Sequence, residues 1–302
     1  MTHAVRLIDA ALPEFGEPTV EPQVPRDTYL ARVAEAMRRA AASGLQALVV
    51  YGDREHAANI AYLTGYDPRF EEALLVALPG RRPTLFVGNE GWGYAELAAG
   101  DFDRVLCQTF SLLGQPRDRQ RSIRDLLRDA GLSAGMSIGA VGWKSFGPSD
   151  PGATADWLEL PSFIADALRE IAGGSGRVVN ANDLFMNPAD GLRAVNDVDQ
   201  LARFEFAATF GSEALRRVLF GIRPGMTEVE AARLLQTNGL PLAAHTMLSS
   251  GPRAAFGLPS PSLRRLERGD PVTMAYAPQG ALNARAGFLV TDATELPEGV
   301  RD

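Results

Sequence analysis

Short apolar runs alternate with helix-like patterns from residue 26 to about residue 180, and this alternation limits the possible folds most strongly. Residues 47–51 form a continuous apolar run, which is typical of a strand buried on both faces. Residues 26–43 predict a helix, because apolar residues recur there at spacings of three and four: Leu30, Val33, Met37 and Ala41. Strands that alternate with helices in this way predict an α/β sandwich.

The length and composition fit a soluble protein of two domains. The chain has 302 residues, of which 46% are hydrophobic and 22% are charged, and a chain of this length is expected to divide into two cores. The net charge of −7 argues against binding to nucleic acid, which needs clustered basic side chains. No apolar run approaches the ~18 residues that span a membrane. Residues 1–21 are polar and acidic, unlike a signal peptide. We therefore expect a cytoplasmic protein.

The expected organisation is an arm followed by two domains. Residues 1–25 contain several prolines and little periodicity, which is typical of an extended arm. Residues 26–180 form the first α/β domain, and residues 192–302 form the second. Near the start of the second domain, Thr227 and Glu230 have the spacing of a capping box, which predicts the beginning of a helix.

Four segments resemble the pita-bread hydrolases, the family of creatinase, prolidase, aminopeptidase P and methionine aminopeptidase. Residues 59–66 (Asn-Ile-Ala-Tyr-Leu-Thr-Gly-Tyr) are similar to a segment of creatinase and prolidase N-terminal domains. Residues 223–228 (Arg-Pro-Gly-Met-Thr-Glu) resemble the start of the family's second domain. Residues 249–252 (Ser-Ser-Gly-Pro) resemble the turn before its active-site histidine, and residues 269–275 resemble the strand that opens its metal site. The resemblance implies a creatinase-like N-terminal α/β domain followed by the first part of a pita-bread α/β domain.

The metal-ligand positions of that family hold alanines here. In metal-dependent members the strand reads Gly-Asp-x-Val-x-x-Asp, and a second aspartate follows. Gly269, Asp270 and Val272 match this pattern, but the two ligand positions are Ala275 and Ala286. A methyl group cannot coordinate a divalent metal, which needs carboxylate oxygens in such a site. We therefore expect no metal and no other cofactor.

One histidine is a candidate for the acid or base of a metal-free reaction. The family carries a histidine shortly after the turn at 249–252, but this chain has none there. His245 precedes the turn, in a segment that looks like a strand, and an imidazole titrates near neutral pH. Two interpretations stay open: a displaced catalytic base, or a core or strand histidine that is satisfied by hydrogen bonds.

Four other residues are candidates for substrate binding: Arg285, Tyr66, Arg69 and Phe70. Arg285 is next to Ala286, so its guanidinium could replace part of the metal's charge and bind a carboxylate. A solvated side chain on a strand is the alternative. Tyr66, Arg69 and Phe70 follow a Thr-Gly turn that can reach the partner's site in creatinase-like dimers. The alternative is that they only form a turn, in which Arg69 is exposed and the aromatic rings of Tyr66 and Phe70 are packed.

The resemblance also bears on assembly and function. The family's remaining functional residues lie in the second half of the pita-bread domain, so a chain ending at Asp302 is expected to hold only the first half. A half domain exposes apolar sheet surface, which predicts a homodimer. The resemblance implies a hydrolase of a C–N bond in a small amide, guanidino or dipeptide-like substrate, independent of metal. The alternative is an inactive relative that binds a ligand or acts in assembly, favoured if Phe256, Leu258 or Arg285 fills the pocket.

Overall fold

The computed structural model describes residues 11, 13, 14, 16–147 and 149–301, which form two compact units. The first unit is Val24–Asp199, and the second is the chain from Gln200 onward together with the described residues before Val24. The sequence predicted a first domain ending at 180 and a second beginning at 192. Residues 1–10, 12 and 15 of the predicted arm lie outside the described residues, and the rest of the arm contains no helix or strand. Among the described residues, no helix is long and apolar enough to cross a membrane.

The first unit is built around a six-stranded mixed sheet. Its strands are β1 (Ala47–Gly52), β2 (Ala73–Ala77), β3 (Thr84–Val87), β4 (Asp103–Leu106), β5 (Ile138–Val141) and β6 (Val178–Asn180). They lie in the order β4-β3-β2-β1-β5-β6. Strand β2 is antiparallel to both of its neighbours, whereas the other three pairs are parallel. Every residue of β1 is buried, as expected of a central strand between two helix layers.

Helices cover both faces of this sheet. They are α1 (Arg26–Ala42), α2 (Ala58–Thr64), α3 (Asn89–Tyr94), α4 (Ile123–Asp129), α5 (Ser162–Ala172) and α6 (Asp183–Met186). One core joins Val49 of β1 to Leu168 of α5, and the other joins Leu48 of β1 to Ile60 of α2. Successive strand residues point to opposite faces, so neighbouring residues of β1 enter different cores. This arrangement confirms the predicted α/β fold.

The buried face of α1 is displaced by one position from the predicted stripe. Leu30 is 42% exposed. Arg32 lies on the buried face, where it binds the carboxylate of Asp197 through hydrogen bonds of 2.9 and 3.0 Å. Its guanidinium also lies 4.4 Å from the centroid of the Tyr62 ring. These partners offset the cost of burying a cation, and the face that turns inward is Tyr29, Arg32, Ala36 and Ala40.

The second unit combines a long helix with a three-stranded antiparallel sheet. Its elements are most of α7 (Val198–Gly221), then α8 (Glu228–Arg233), β7 (Met247–Ser250), β8 (Pro271–Tyr276), β9 (Asn283–Phe288) and α9 (Glu298–Arg301). Helix α8 begins with the predicted capping box, which is confirmed. The Glu230 amide donates to Thr227 Oγ1 at 3.1 Å, and the Thr227 amide donates to Glu230 Oε2 at 2.7 Å.

One face of the second sheet supplies the core of this unit. Leu248 and Met274 of the sheet pack in one cluster with Leu215 and Val218 of α7. Because side chains alternate along a strand, the residues between these core positions lie on the opposite face. That opposite face carries Ala275 and Ala286, the two predicted metal-ligand positions.

Candidate functional site

The three strands of the second unit bring both predicted metal-ligand positions onto one face. Strand pairing sets Ala275 between Met247 and Ala284, and it sets Thr273 between Ser249 and Ala286. Directly paired residues share a face, and so do alternate residues along one strand. We call this surface the alanine face; its six residues are Met247, Ser249, Thr273, Ala275, Ala284 and Ala286.

The alanine face offers methyl groups and hydroxyls but no charged side chain. The hydroxyl oxygens of Ser249 and Thr273 lie 3.0 Å apart, so one donates to the other. Ser249 and Ala275 are buried, whereas Ala284 and Ala286 are exposed. The face is thus covered toward β7 and open toward β9. An uncharged hydrogen-bonding group suits it better than a cation, because no side chain on the face offsets positive charge.

The donor set of this face does not fit a divalent metal. Metal sites of the expected kind need carboxylate, imidazole or thiolate ligands, and none of the six residues supplies one. In the described part of the chain, no group of three or more His, Cys, Asp or Glu side chains is placed to hold a metal ion. Asp270, which matches the family's first aspartate, binds Arg264 through hydrogen bonds of 2.6 and 3.0 Å.

Arg285 lies apart from the alanine face. Strand pairing sets it opposite Met274, on the side of the sheet that carries the core. Its neighbours Ala284 and Ala286 point the other way, because the side-chain period of a strand is two. The guanidinium is exposed and donates to the carbonyl oxygen of Ala284 at 2.7 Å. The register therefore supports the solvated alternative for Arg285 and not a replacement of metal charge beside Ala286.

His245 lies outside the strand expected for it. Strand β7 begins at Met247, and His245 precedes it in an exposed, irregular segment. Its Nε2 is 3.2 Å from the carbonyl oxygen of Leu258. Because a carbonyl only accepts, this contact assigns the proton of a neutral ring to Nε2 and leaves Nδ1 as an acceptor. His245 is thus hydrogen-bonded but is not a core residue, and its role as a base stays a prediction.

The three substrate-binding candidates that follow the Thr-Gly turn of the first unit, Tyr66, Arg69 and Phe70, lie in different environments. Tyr66 is 1% exposed and belongs to a hydrophobic core, so it does not offer a surface contact to a substrate. Burial raises the pKa of its phenol, and its hydroxyl has no hydrogen-bond partner among the described residues. Arg69 is exposed and donates to the Tyr94 hydroxyl at 3.0 Å, and Phe70 is 56% exposed. Arg69 and Phe70 remain available at the surface.

A fully buried carboxylate that the sequence analysis missed anchors the segment after β7. Glu228, at the start of α8, is 0% exposed. It accepts from the amide and hydroxyl of Ser250 at 2.8 and 2.9 Å, and from those of Ser262 at 2.9 and 2.6 Å. It also pairs with Arg253, which stands where the family has an asparagine. Sequence spacing could not reveal this cluster, because Ser250 and Ser262 are 22 and 34 positions away.

Two opposing effects act on this carboxylate. Burial raises the pKa of Glu228, since the charged form loses its hydration. Hydrogen bonds from Ser262 and Ser250 favour the charged form and outweigh burial, so the pKa lies below its ordinary value. The carboxylate is therefore held ionised as a structural anchor, and it offers no proton for acid catalysis at neutral pH.

The fold is similar to solved structures of an Xaa-Pro dipeptidase, a prolidase and a further dipeptidase. The Xaa-Pro dipeptidase from Bacillus anthracis matches with a TM-score of 0.61 at 14% identity, over 90% of this chain and 67% of that one. The prolidase from Pyrococcus horikoshii OT3 matches with a TM-score of 0.62 at 17% identity, over 90% and 67%. The dipeptidase PepE from Mycobacterium ulcerans matches with a TM-score of 0.62 at 18% identity, over 92% and 68%.

These matches establish the fold over about two thirds of the length of those proteins. In sequence, no protein-family model matches the chain, and no curated protein matches it. The creatinase-like and pita-bread architecture predicted from four short segments is confirmed by the structural likeness.

Proposed function

We propose that this chain is a relative of creatinase and the Xaa-Pro peptidases whose second unit works without metal. It would hydrolyse a C–N bond in a small amide, guanidino or dipeptide-like substrate. The alanine face carries this proposal, because its two ligand positions hold methyl groups on the same side of one sheet. The fold likeness to proline-specific peptidases and the four matching segments support the substrate class.

The alanine face supports hydrogen bonding to a substrate. One imidazole, that of His245, lies near the face in sequence. One hydroxyl of the Ser249 and Thr273 pair donates to the other, so at most one hydroxyl proton of the pair can donate to a substrate carbonyl or to the negative charge that develops on it. His245 is two residues before Met247 of the face, and its Nδ1 is left as an acceptor. A neutral imidazole is suited to remove a proton from water at neutral pH. His245 is accordingly the proposed general base.

A second candidate function is ligand binding or assembly without catalysis. It is favoured by the surroundings of His245, because its ring contacts the backbone carbonyl of Leu258 rather than the carboxylate that usually orients a catalytic histidine. The exposure of Phe256 and Leu258, at 74% and 70%, does not add to this support, because the role was expected to go with these side chains filling the pocket. The homodimer and the cytoplasmic location stay predictions.

The deciding experiment measures hydrolysis of Xaa-Pro dipeptides and creatine by the purified chain, with and without a chelator. The proposal expects turnover that is insensitive to chelator and falls at least about tenfold in His245→Gln, because general-base catalysis typically contributes 10²–10⁴-fold. His56→Gln, in the first unit, is the matched control and should retain full activity.

The remaining outcomes separate the alternatives. Turnover that needs added manganese, zinc or cobalt would overturn the metal-independent proposal. Absence of turnover together with saturable binding of a dipeptide, measured by calorimetry, would favour the binding role over the hydrolase.

A further inference from the structure

Arg193, in the first unit, differs from the other partly buried arginines of the described residues in having no carboxylate partner. Its Nη1 donates to Asn59 Oδ1 at 2.9 Å and lies 3.2 Å from Met186 Sδ. Both partners are neutral groups. Every other described arginine that is buried or partly buried forms an ion pair with an aspartate or a glutamate. The charge of Arg193 therefore needs an explanation of its own.

Partial burial makes this unbalanced charge costly. A cation that leaves water loses free energy of hydration unless an anion and hydrogen bonds replace the water. Burial lowers the pKa of the Arg193 guanidinium, and the group that opposes this effect is the phenol of Tyr62 rather than a carboxylate. An uncompensated polar group in a folded protein indicates a missing partner, such as a bound ion or ligand.

Tyr62 supplies a second hydrogen-bond donor on the side of Arg193. Asn59 and Tyr62 are three positions apart on α2, so their side chains lie on the same face of that helix. Arg193 contacts this face through Asn59. No hydrogen bond joins the Tyr62 hydroxyl to another described residue. Its O–H is therefore available to the same ligand as the guanidinium.

The other cations around Tyr62 have acidic partners. The Arg32 guanidinium lies 4.4 Å from the centroid of the Tyr62 ring and pairs with Asp197 at 2.9 Å. Arg39 pairs with the carboxylate four positions before it at 2.7 Å. The charges of Arg32, Arg39 and Arg193 all act on the Tyr62 phenol, so the three cations lie near one another. Arg193 adds a positive charge that no carboxylate balances, and a ligand with one negative charge matches it.

We propose that Arg193 and Tyr62 form a binding site for a small carboxylate. The planar guanidinium offers parallel N–H donors that match the two oxygens of a carboxylate, and the phenol adds an O–H donor. Asn59 holds the guanidinium in position, because it is buried and its own amide donates to the carbonyl oxygen of Gly142 at 2.6 Å. Partial burial of Arg193 favours a small ligand. The site lies in the first unit and does not depend on the proposed hydrolase activity.

Thermal unfolding of the full-length chain tests this site, with sodium acetate as the probe. Sodium chloride at the same ionic strength is the control for screening. Acetate at about ten times its dissociation constant should raise the melting temperature roughly 3–6 °C more than chloride does. Arg193→Gln should abolish this excess, because an amide carries no charge. Arg54→Gln replaces an exposed arginine of the same unit and should keep the full excess.

Three results would overturn the proposal. Equal rises in acetate and chloride would be a general salt effect, and an equal excess in Arg193→Gln would place the acetate elsewhere. A larger rise with inorganic phosphate than with acetate would assign the site to phosphate. If circular dichroism shows that Arg193→Gln is unfolded, Tyr62→Phe replaces it, since this variant removes only the hydroxyl. The excess should then fall, and an unchanged excess in folded Tyr62→Phe would overturn the proposal as well.

Discussion

Arg264 holds Asp270 through two parallel hydrogen bonds of 2.6 and 3.0 Å, and it reaches the hydroxyl of Ser250 at 2.8 Å. Asp270 matches the first aspartate of the family's metal-site strand, yet here its carboxylate neutralises a guanidinium. Through Ser250 the pair connects to the buried Glu228. The start of β8 is thus organised by fixed charge pairs.

Replacing Asp270 tests the strength of this pair. Asp270→Asn removes one charge and leaves the guanidinium of Arg264 with a neutral partner. We expect the free energy of unfolding to fall by about 1–3 kcal/mol, the usual range for a lost charge-assisted hydrogen bond. Urea denaturation followed by circular dichroism measures the change. Asp103→Asn is the control, because Asp103 pairs with Arg82 at an exposed site, and an equal loss there would contradict the interpretation.

Replacing Glu228 tests the buried anchor. Glu228→Gln keeps the size of the side chain but presents an amide to donors that need an acceptor. The expected loss in free energy of unfolding is roughly 2–4 kcal/mol, because a buried network loses its charge. Glu298→Gln, at the exposed start of α9, provides the matched control and should be neutral. A neutral Glu228→Gln would show that the cluster contributes nothing to stability.

The same variant predicts how stability depends on pH. The hydrogen bonds of Glu228 lower its folded pKa below the ordinary value of 4.5. A carboxyl with a lowered folded pKa contributes stability above its unfolded pKa, and this contribution is lost as pH falls through the folded pKa. The stability difference between the wild type and Glu228→Gln should therefore be constant above pH 4.5 and shrink below it. If the stability difference grew on acidification, this would contradict a lowered pKa of Glu228.

Replacing Thr227 tests the capping box at the start of α8. Thr227→Ala removes the oxygen that accepts from the Glu230 amide at 3.1 Å. The expected cost is about 1 kcal/mol in the free energy of unfolding, as for other N-cap residues. Thr227→Ser keeps the hydroxyl and should recover most of the loss. Thermal unfolding of both variants decides the point, and equal losses would assign the effect to packing of the methyl group.

Restoring carboxylates to the alanine face tests its geometry. The double variant Ala275→Asp with Ala286→Asp places two acids on one face, so we expect a loss of about 1–3 kcal/mol from burying charge at residue 275. Binding of manganese at about 1 mM should recover part of it as a rise in melting temperature. The control Ala275→Asp with Arg285→Asp puts the second acid on the opposite face and should show no rise. Equal responses would contradict the face assignment.

Local sequence patterns were enough to determine most elements of this fold. The helix at 26–42, the buried strand at 47–52 and the capping box of Thr227 and Glu230 depend on residues within a few positions of each other. Their periodicity and spacing are visible without any tertiary contact. The replacement of both ligand positions by alanine could also be identified from sequence, since it depends only on which residues occupy a strand that the family resemblance locates.

Tertiary structure decided which of these residues meet. The buried Arg32 of α1 pairs with Asp197, which is 165 positions away. Arg285 and Ala286 are adjacent in sequence but lie on opposite faces of β9, because strand register alone sets the face. By sequence alone, Glu228 looks like an exposed acidic residue in the first turn of a helix. In the folded chain, the amides of Ser250 and Ser262 donate hydrogen bonds to its carboxylate. Local interactions act between neighbours in the chain, whereas burial and register depend on segments that only folding brings together.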